Sequence, residues 1–332
     1  MDCNPKQSAR IIGTGSYVPE RVLTNEEIER TVRGTSAEWT QRKLGIGERH
    51  IARDDQSTAD LALESARRAV RDANLSPRDI DLIIVATTTP RRIAPSTACY
   101  VQHHLGATDC PAFDLAAVCS GFVYSMSVGL QFIIAGVYRN VLLIGADCFS
   151  KITDWTRRDC VFFGDGAGAA VLTSCPVGQG ILSCDLGADG SGENGWTVLA
   201  GGSELPASLD TLAQQLHYWQ MDGKAVYRMA TSRIPLTVKR SLKKAGLGAA
   251  DVDHVIPHQP SIGILKATAE LIDVPFEKFH ISMQKYANMS AASVPVMLDE
   301  ANRQGRLKPG DVIVFAAVGS GWAWGSLVMR WV

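Results

Sequence analysis

The chain has 332 residues, 46% of them hydrophobic, and a formal net charge of -1 at pH 7. That length can bury a large core, in two domains or one double domain, and the near-zero charge leaves no excess of Lys and Arg to make nucleic acid the main partner. The first residues, MDCNPKQSAR, lack the basic-then-apolar order of a secretory signal, and no apolar run approaches the roughly 20 residues of a membrane span, so a cytoplasmic protein with no membrane partner is expected.

In chain order, GTGS (13–16) and GDGAG (164–168) read as tight turns, because neither completes G-x-G-x-x-G in a βαβ unit with a suitable acid. IARDDQSTADLALESARRAVRDANL (51–75) predicts a helix capped by Ser57 or Thr58, and DLIIVATTT (81–89) a continuous apolar strand covered on both faces. TTTPRRIAPS (87–96) reads as a solvated loop carrying Arg91 and Arg92. TACYVQHHLGA (97–107) is helical, with His103 and His104 on its surface or in packing. A strand over CPAFDLAAV (110–118), a helix over GFVYSMSVGLQFIIAGV (121–137) ending near Gly136, and a strand over NVLLIGAD (140–147) follow. This alternation predicts α/β architecture with mixed, mainly parallel sheets and helices on both sides.

Two stretches repeat. RAVRDANLSPRDIDLIIVA (68–86) aligns with RSLKKAGLGAADVDHVIPH (240–258), matching Asp79 to Asp251 and Asp81 to Asp253. NVLLIGAD aligns with DVIVFAAV (311–318) at the same offset to within one residue. The chain is therefore expected to be two related halves, 1–175 and 176–332, packed back to back as a five-layered αβαβα arrangement.

Ligands in open α/β sheets bind beyond the carboxyl ends of the strands. Cys119 lies there in the first half, and His258 and Asn288 in the second, with the glycine-rich GSGWAWG (319–325) after the strand DVIVFAAV. A thiol at a helix start gains from the positive helix end, which predicts a lowered pKa, and free N–H groups there can hold an oxyanion. A histidine can move a proton and an asparagine offers a neutral donor. The eight cysteines, Cys3, Cys99, Cys110, Cys119, Cys148, Cys160, Cys175 and Cys184, contain no C-x-x-C pair, so no zinc site or redox pair is expected and the thiols should be reduced.

IIGTGSYVPERVLTNEEIE, LGIGERH, FDLAAVCSGFVYSM, FGDGAGAAVL, VIPHQP, YANMSAASVPVMLDEA and GSGWAWGS run in one order along the chain. In these motifs it resembles the β-ketoacyl-ACP synthase III family of thiolase-like condensing enzymes, over essentially its whole length. The resemblance implies a thiolase-like fold and a homodimer. It makes Cys119 an acyl-carrying nucleophile, with His258 and Asn288 completing a triad and the backbone N–H groups of Cys119 and Ser320 forming an oxyanion hole. The implied reaction moves an acyl group from acyl-CoA to Cys119, then condenses it with a malonyl thioester as carbon dioxide leaves. It needs no metal or redox cofactor, and acyl carrier protein is the partner it suggests for the malonyl group. Trp39 and Arg157 match positions that sandwich the CoA adenine, Lys43 stands where the family usually has an arginine near CoA, and Tyr227 matches an aromatic along the pantetheine tunnel.

The departures are specific. The family's H-Q-A-N reads His258-Gln259-Pro260-Ser261 here, so Ser261 replaces the asparagine that faces pantetheine. Gly263 and Glu270 replace residues that are often basic where the carrier docks, although Lys266 and Arg228 remain. Ala94 stands where a bulky residue often reaches across the dimer and shortens the acyl pocket, and residues 190–223 match least well and are expected to shape the entrance. These departures predict a specialised relative serving a secondary-metabolite pathway, set against the initiator of ordinary fatty acid synthesis. A cysteine-dependent acyltransferase to a hydroxyl or amine is the alternative, and Asn288 argues against it because simple transfer has no use for an enolate donor. The complete triad argues against a non-catalytic partner subunit.

Overall fold

The computed structural model describes residues 7–332, so Cys3 lies outside the described residues. Two sheets carry the architecture. Their strands are β1 (Gln7–Tyr17), β2 (Leu82–Ala86), β3 (Ala112–Leu115), β4 (Asn140–Cys148), β5 (Asp165–Pro176), β6 (Gly180–Gly192), β7 (His254–Pro257), β8 (Val312–Gly319) and β9 (Gly321–Arg330). The first sheet runs β1-β5-β4-β2-β3 and the second β7-β8-β9-β6. The main helices are α1 (Thr58–Asp72), α2 (Thr97–Leu105), α3 (Gly121–Ile134), α4 (Gly223–Lys244), α5 (Ile262–Ile272) and α6 (Ser293–Arg303). Among the described residues no helix is long and apolar enough to cross a membrane.

Strand alternation sorts the core into layers. In β2, Ile83 and Val85 face α1 and α2, while Leu82 and Ile84 face the interior of the molecule. In β8, Ile313, Phe315 and Ala317 meet that same interior, while Val314, Ala316 and Val318 face α4 and α5. The helices α3 and α6 fill the space between the sheets, giving five layers in the order αβαβα. A fully buried strand between two helix layers has no polar face, which is why LIIVA and VIVFAAVG read as unbroken apolar runs.

The repeated aspartates do the same work in both halves. Asp81 accepts from the N–H groups of Arg139 and Asn140 at 2.9 and 2.8 Å, and Asp253 accepts from Val312 N–H at 2.8 Å. Each thereby fixes the start of one strand beside its parallel neighbour, β2 beside β4 and β7 beside β8. Asp79 and Asp251 close the preceding turn by accepting from Ser76 N–H and Gly248 N–H.

Three expectations need correction. Parallel pairing does not dominate: β4–β2, β2–β3 and β7–β8 are parallel, while β1–β5, β5–β4, β8–β9 and β9–β6 are antiparallel. The strand β8 turns into β9 at Ser320 alone, a connection too short for anything but antiparallel pairing. The helix expected over 51–75 begins at Thr58, since Ile51 closes a strand over Glu48–Ile51 and Asp60 accepts from Ser57 N–H at 2.8 Å in a capping box. GTGS and GDGAG are not turns. The first lies within β1, where a Cβ on Gly13 or Gly15 would sit 2.4 Å from the Ala69 backbone, and Gly166 and Gly168 in β5 meet Met289 and Val296 equally closely. These glycines let α1 and the Asn288 segment press directly on the sheet.

Candidate active site

Cys119 occupies a single turn, Val118–Ser120, that leads into α3. Val118 adopts φ +46° and the Ser120 hydroxyl donates to Ala117 C=O at 2.7 Å, which tightens the turn. A matching turn, Ser290–Ala292, leads into α6, with Ser290 at φ +50°. The first lies beyond the carboxyl end of β3, whereas the second follows a short helix, Met283–Tyr286, so the strand expected to lead into the Asn288 turn is not formed and an isolated bridge from Asn288 to Phe163 takes its place.

His258 follows β7 and stays on the sheet by donating its N–H to Ala316 C=O at 2.8 Å. Gln259 is fully buried and acts as a clamp: Nε2 donates to Pro257 C=O (2.9 Å) and His280 C=O (3.0 Å), while Oε1 accepts from Ser282 N–H (3.0 Å). It thus ties the histidine loop to the segment that carries Asn288. Asn288 N–H donates to Phe162 C=O at 3.1 Å, and its Oδ1 accepts from Ser290 N–H at 2.8 Å. With Oδ1 occupied, its Nδ2 amino group has no partner among the described residues and is free to donate to a ligand.

Cys119, His258, Asn288 and Ser320 line one cavity of about 290 Å³. Gly319 lies so close to the nucleophile turn that a Cβ there would be 3.0 Å from Cys119 N, which brings Ser320 alongside. Lys43, Tyr227 and Ser261 line the same cavity, together with Gly263. Lys43 comes from the helix Ala37–Leu44, Tyr227 from α4, and Ser261 caps α5.

Trp39 and Arg157, expected to face each other across the adenine, do not pair in the structure. Trp39 does not line the cavity, and the guanidinium over its ring, at 5.5 Å, is that of Arg158. Arg157 instead bonds Asp159 at 2.6 Å and lies 5.8 Å from the Trp219 ring, drawn there by a carboxylate two residues on. Ala94 is exposed in the loop before α2 and does not line this chain's cavity.

Burial sets the electrostatics. It pushes the Cys119 thiol up to about 12, against the lowering expected from its helix-start position, because loss of water outweighs the favourable polarity of the nearby Ser290 and the charge of Asp147 adds to the rise. Burial drives His258 down to about 3, partly offset by hydrogen bonding to the Ser290 backbone. The resting pair is therefore a neutral thiol and a neutral imidazole. A neutral imidazole still donates one N–H, and it adds no charge to a cavity in which charge is expensive.

Much of the wall went unread in the sequence. Phe162, Phe163, Trp196, Met221, Val318 and Trp322 make it mostly apolar. Trp196 and Met221 come from the poorly matching 190–223 segment, and Trp196 C=O accepts from the Ser320 hydroxyl. Behind the cavity, Phe149, Phe163, Trp196 and Trp219 pack as one aromatic cluster. Aromatics scattered over 70 residues give no periodic signal, so only the folded chain brings them together.

Five αβαβα layers with a cysteine, a histidine and an asparagine gathered at one strand-end cavity define a thiolase-like condensing enzyme. A family model described as 3-oxoacyl-(acyl-carrier-protein) synthase III matches residues 113–190, and its C-terminal counterpart matches residues 242–331. The chain is 47% identical over 98% of its length to a beta-ketoacyl-(acyl-carrier-protein) synthase III of Caldanaerobacter subterraneus subsp. tengcongensis, and covers 98% of that protein. It superposes on the crystal structure of 3-oxoacyl-(acyl-carrier-protein) synthase III from Aquifex aeolicus VF5 with a TM-score of 0.89 and 41% identity, covering 97% of this chain and 100% of that one. It also superposes on the priming beta-ketosynthase of the R1128 polyketide pathway with a TM-score of 0.90 at 29% identity, covering 100% and 98% respectively. The chain belongs to the 3-oxoacyl-(acyl-carrier-protein) synthase III family, transferases of fatty acid biosynthesis that carry out a decarboxylative condensation.

Proposed function

We propose that the protein loads an acyl group from acyl-CoA onto Cys119 and condenses it with a malonyl thioester. The observation that supports this most is the single cavity shared by Cys119, His258, Asn288 and Ser320. In the first half-reaction the Cys119 sulfur attacks the acyl carbonyl and CoA leaves as its thiol, with the N–H groups of Cys119 and Ser320 on the developing oxyanion. In the second, His258 and Asn288 donate to the malonyl thioester carbonyl, carbon dioxide leaves, and the enolate carbon attacks the acyl-cysteine. The Cys119 sulfur departs as a thiolate, takes up one proton from solvent to restore the resting thiol, and a β-ketoacyl thioester is released. Lys43, Tyr227 and Ser261 serve the pantetheine arm along the cavity mouth. Trp39 and the arginine over it bracket the adenine, and Arg157 reaches that place only by giving up Asp159. The steps call on no metal or redox cofactor.

The uncommitted Nδ2 of Asn288 favours condensation over simple acyl transfer to a hydroxyl or amine, which would leave it idle. A homodimer fits the open edge of the first sheet, where β3 has no outer neighbour and Phe113 is partly exposed. In that dimer the loop carrying Ile93, which is 92% exposed, and Ala94 approaches the partner's cavity. A small Ala94 leaves room for primers longer than acetyl. Intact-mass analysis after exposure to acyl-CoAs of increasing length, on samples whose dimeric mass is checked by light scattering, is expected to show long-chain adducts on the wild type. Ala94→Phe should lose these and keep the acetyl adduct. A wild type that accepts acetyl-CoA alone contradicts the open pocket.

The malonyl carrier is the second specific reading. Gly263, at the cavity rim, and Glu270 stand where carrier-docking relatives often carry positive charge. A rim charge acts mainly on association rate. The protein is therefore read as a poor user of malonyl-ACP and a specialised relative of the fatty acid initiators. Gly263→Arg with Glu270→Lys is expected to raise kcat/KM for malonyl-ACP at low salt, with the gain fading as salt screens the charge and malonyl-CoA barely affected. A wild type that strongly prefers malonyl-ACP and ignores the added charges belongs with the ordinary initiators.

A further inference from the structure

The thiol proton has no obvious acceptor in the triad. His258 is neutral, and its depressed basicity makes it a weak base for a thiol raised to about 12. Behind the nucleophile turn lie two polar residues with no part in those steps.

Asp147 is the next-to-last residue of β4 and is fully buried. Its Oδ1 accepts from Thr88 N–H (2.8 Å), Thr89 N–H (3.0 Å), Thr89 Oγ1 (3.0 Å) and Thr87 Oγ1 (3.2 Å). Its Oδ2 accepts only from Ala291 N–H, at 3.2 Å, in the turn next to Asn288. That turn is pressed on the strand: a Cβ on Gly145 would lie 2.2 Å from Ala291 C=O. Ser290 is fully buried in the same turn, and its hydroxyl makes no well-formed hydrogen bond in the resting arrangement. The Cys119 turn packs against this turn, where a Cβ on Gly121 would lie 3.6 Å from the Ala291 side chain, so Ser290 sits beside both the nucleophile turn and Asp147. A buried hydroxyl left without a partner in a turn that touches both a nucleophile's turn and a carboxylate is costly, and such orphans call for a reason.

We propose that Ser290 and Asp147 form a proton-handling arm behind Cys119, in which Ser290 meets the reacting thiol and Asp147 acts through Ser290. The inference rests on Cys119 being the acyl acceptor. As Sγ attacks the acyl-CoA carbonyl, its proton passes to Ser290 Oγ while the Ser290 proton passes to Asp147 Oδ2. When the intermediate collapses, the same path returns a proton to the departing CoA sulfur, and Asp147 is again a carboxylate. Nothing is oxidised or reduced, and no co-reactant is needed. Burial holds the Asp147 carboxyl up at about 6, still ionised at neutral pH and a stronger base than His258. The titratable groups that sense its charge are the thiols of Cys119 and Cys148, and the remaining contacts on Asp147, from the Thr87–Thr89 segment and Ala291, are uncharged.

The test is the rate of Cys119 acylation by acetyl-CoA, followed by quenched-flow intact mass as a function of pH and in heavy water. In the wild type the rate should fall as pH drops through about 6, because protonation removes the base. Ser290→Ala keeps the backbone N–H that holds Asn288, and should acylate roughly 10²-fold more slowly, within the range of general-base contributions. It should also lose both the acid limb and the solvent isotope effect. Asp147→Asn keeps the side-chain shape and should lose the same limb. Ser290→Ala acylating at the wild-type rate with the wild-type profile overturns the arm, as does a wild type with no limb near pH 6. A wild type that takes no acyl group at any pH overturns the acyl-cysteine reading itself, and the arm with it.

Discussion

Cys119→Ala is expected to fold and to carry no acyl group. The substitution removes one sulfur from a half-buried turn, an ordinary change costing about 1 kcal/mol, while the turn's hydrogen bond from Ser120 to Ala117 remains. Among the described residues no other cysteine lines the cavity. Cys110, Cys148, Cys160 and Cys175 are buried, with their thiols pushed up by desolvation, and none lines the cavity. Cys99 is exposed and Cys184 half-buried, and both also lie off the cavity. Intact mass after incubation with acyl-CoA should therefore show a stoichiometric adduct on the wild type and none on the variant, with peptide mapping placing the adduct at residue 119. An adduct persisting at full stoichiometry in Cys119→Ala removes the nucleophile assignment.

His258→Ala and Asn288→Ala are expected to separate the two half-reactions. Both should still acylate Cys119, because neither donor faces the acyl oxyanion in the steps drawn above. Both should lose decarboxylation, since each removes a donor from the developing enolate, and a lost oxyanion-type donor costs about 10²–10³ in rate. Asn288 offers the cleaner measurement. Its Nδ2 is free while its Oδ1 is held by Ser290 N–H, so Asn288→Asp keeps the anchoring contact and converts the free donor into an acceptor. That variant should decarboxylate no faster than the alanine. Carbon dioxide release from malonyl thioester at the wild-type rate in both alanine variants points instead to acyl transfer by another route.

The layered fold could be read because its signals are local and repeated. The apolar runs at 81–89 and 311–318 and the paired aspartates Asp81 and Asp253 each mark a strand start that the folded chain uses in the same way. Strand direction could not be read, because an apolar run does not say which way its neighbour runs. The glycines of GTGS and GDGAG resembled turns, since close helix packing and tight turning select the same residue. At the site, Cys119, His258 and Asn288 stood out by their expected position at strand ends, and the cavity gathers all three. The thiol's acidity was misjudged because the helix end is visible in sequence and the dry wall around it is not. Asp147 and Ser290 lay inside motifs already noted, NVLLIGAD and YANMSAASVP, yet nothing in the spacing says that the Ser290 turn and Asp147 meet, as the bond from Ala291 N–H to Asp147 shows they do.

The most direct test is a single-turnover chase. Wild-type protein acylated on Cys119 and freed of excess acyl-CoA is mixed with malonyl thioester, while adduct mass, carbon dioxide and product are followed together. The account predicts that the adduct disappears as one equivalent of carbon dioxide and one of β-ketoacyl thioester appear, at the same rate. An adduct that stays on the cysteine while carbon dioxide is released, or that leaves without any carbon–carbon bond being formed, contradicts it.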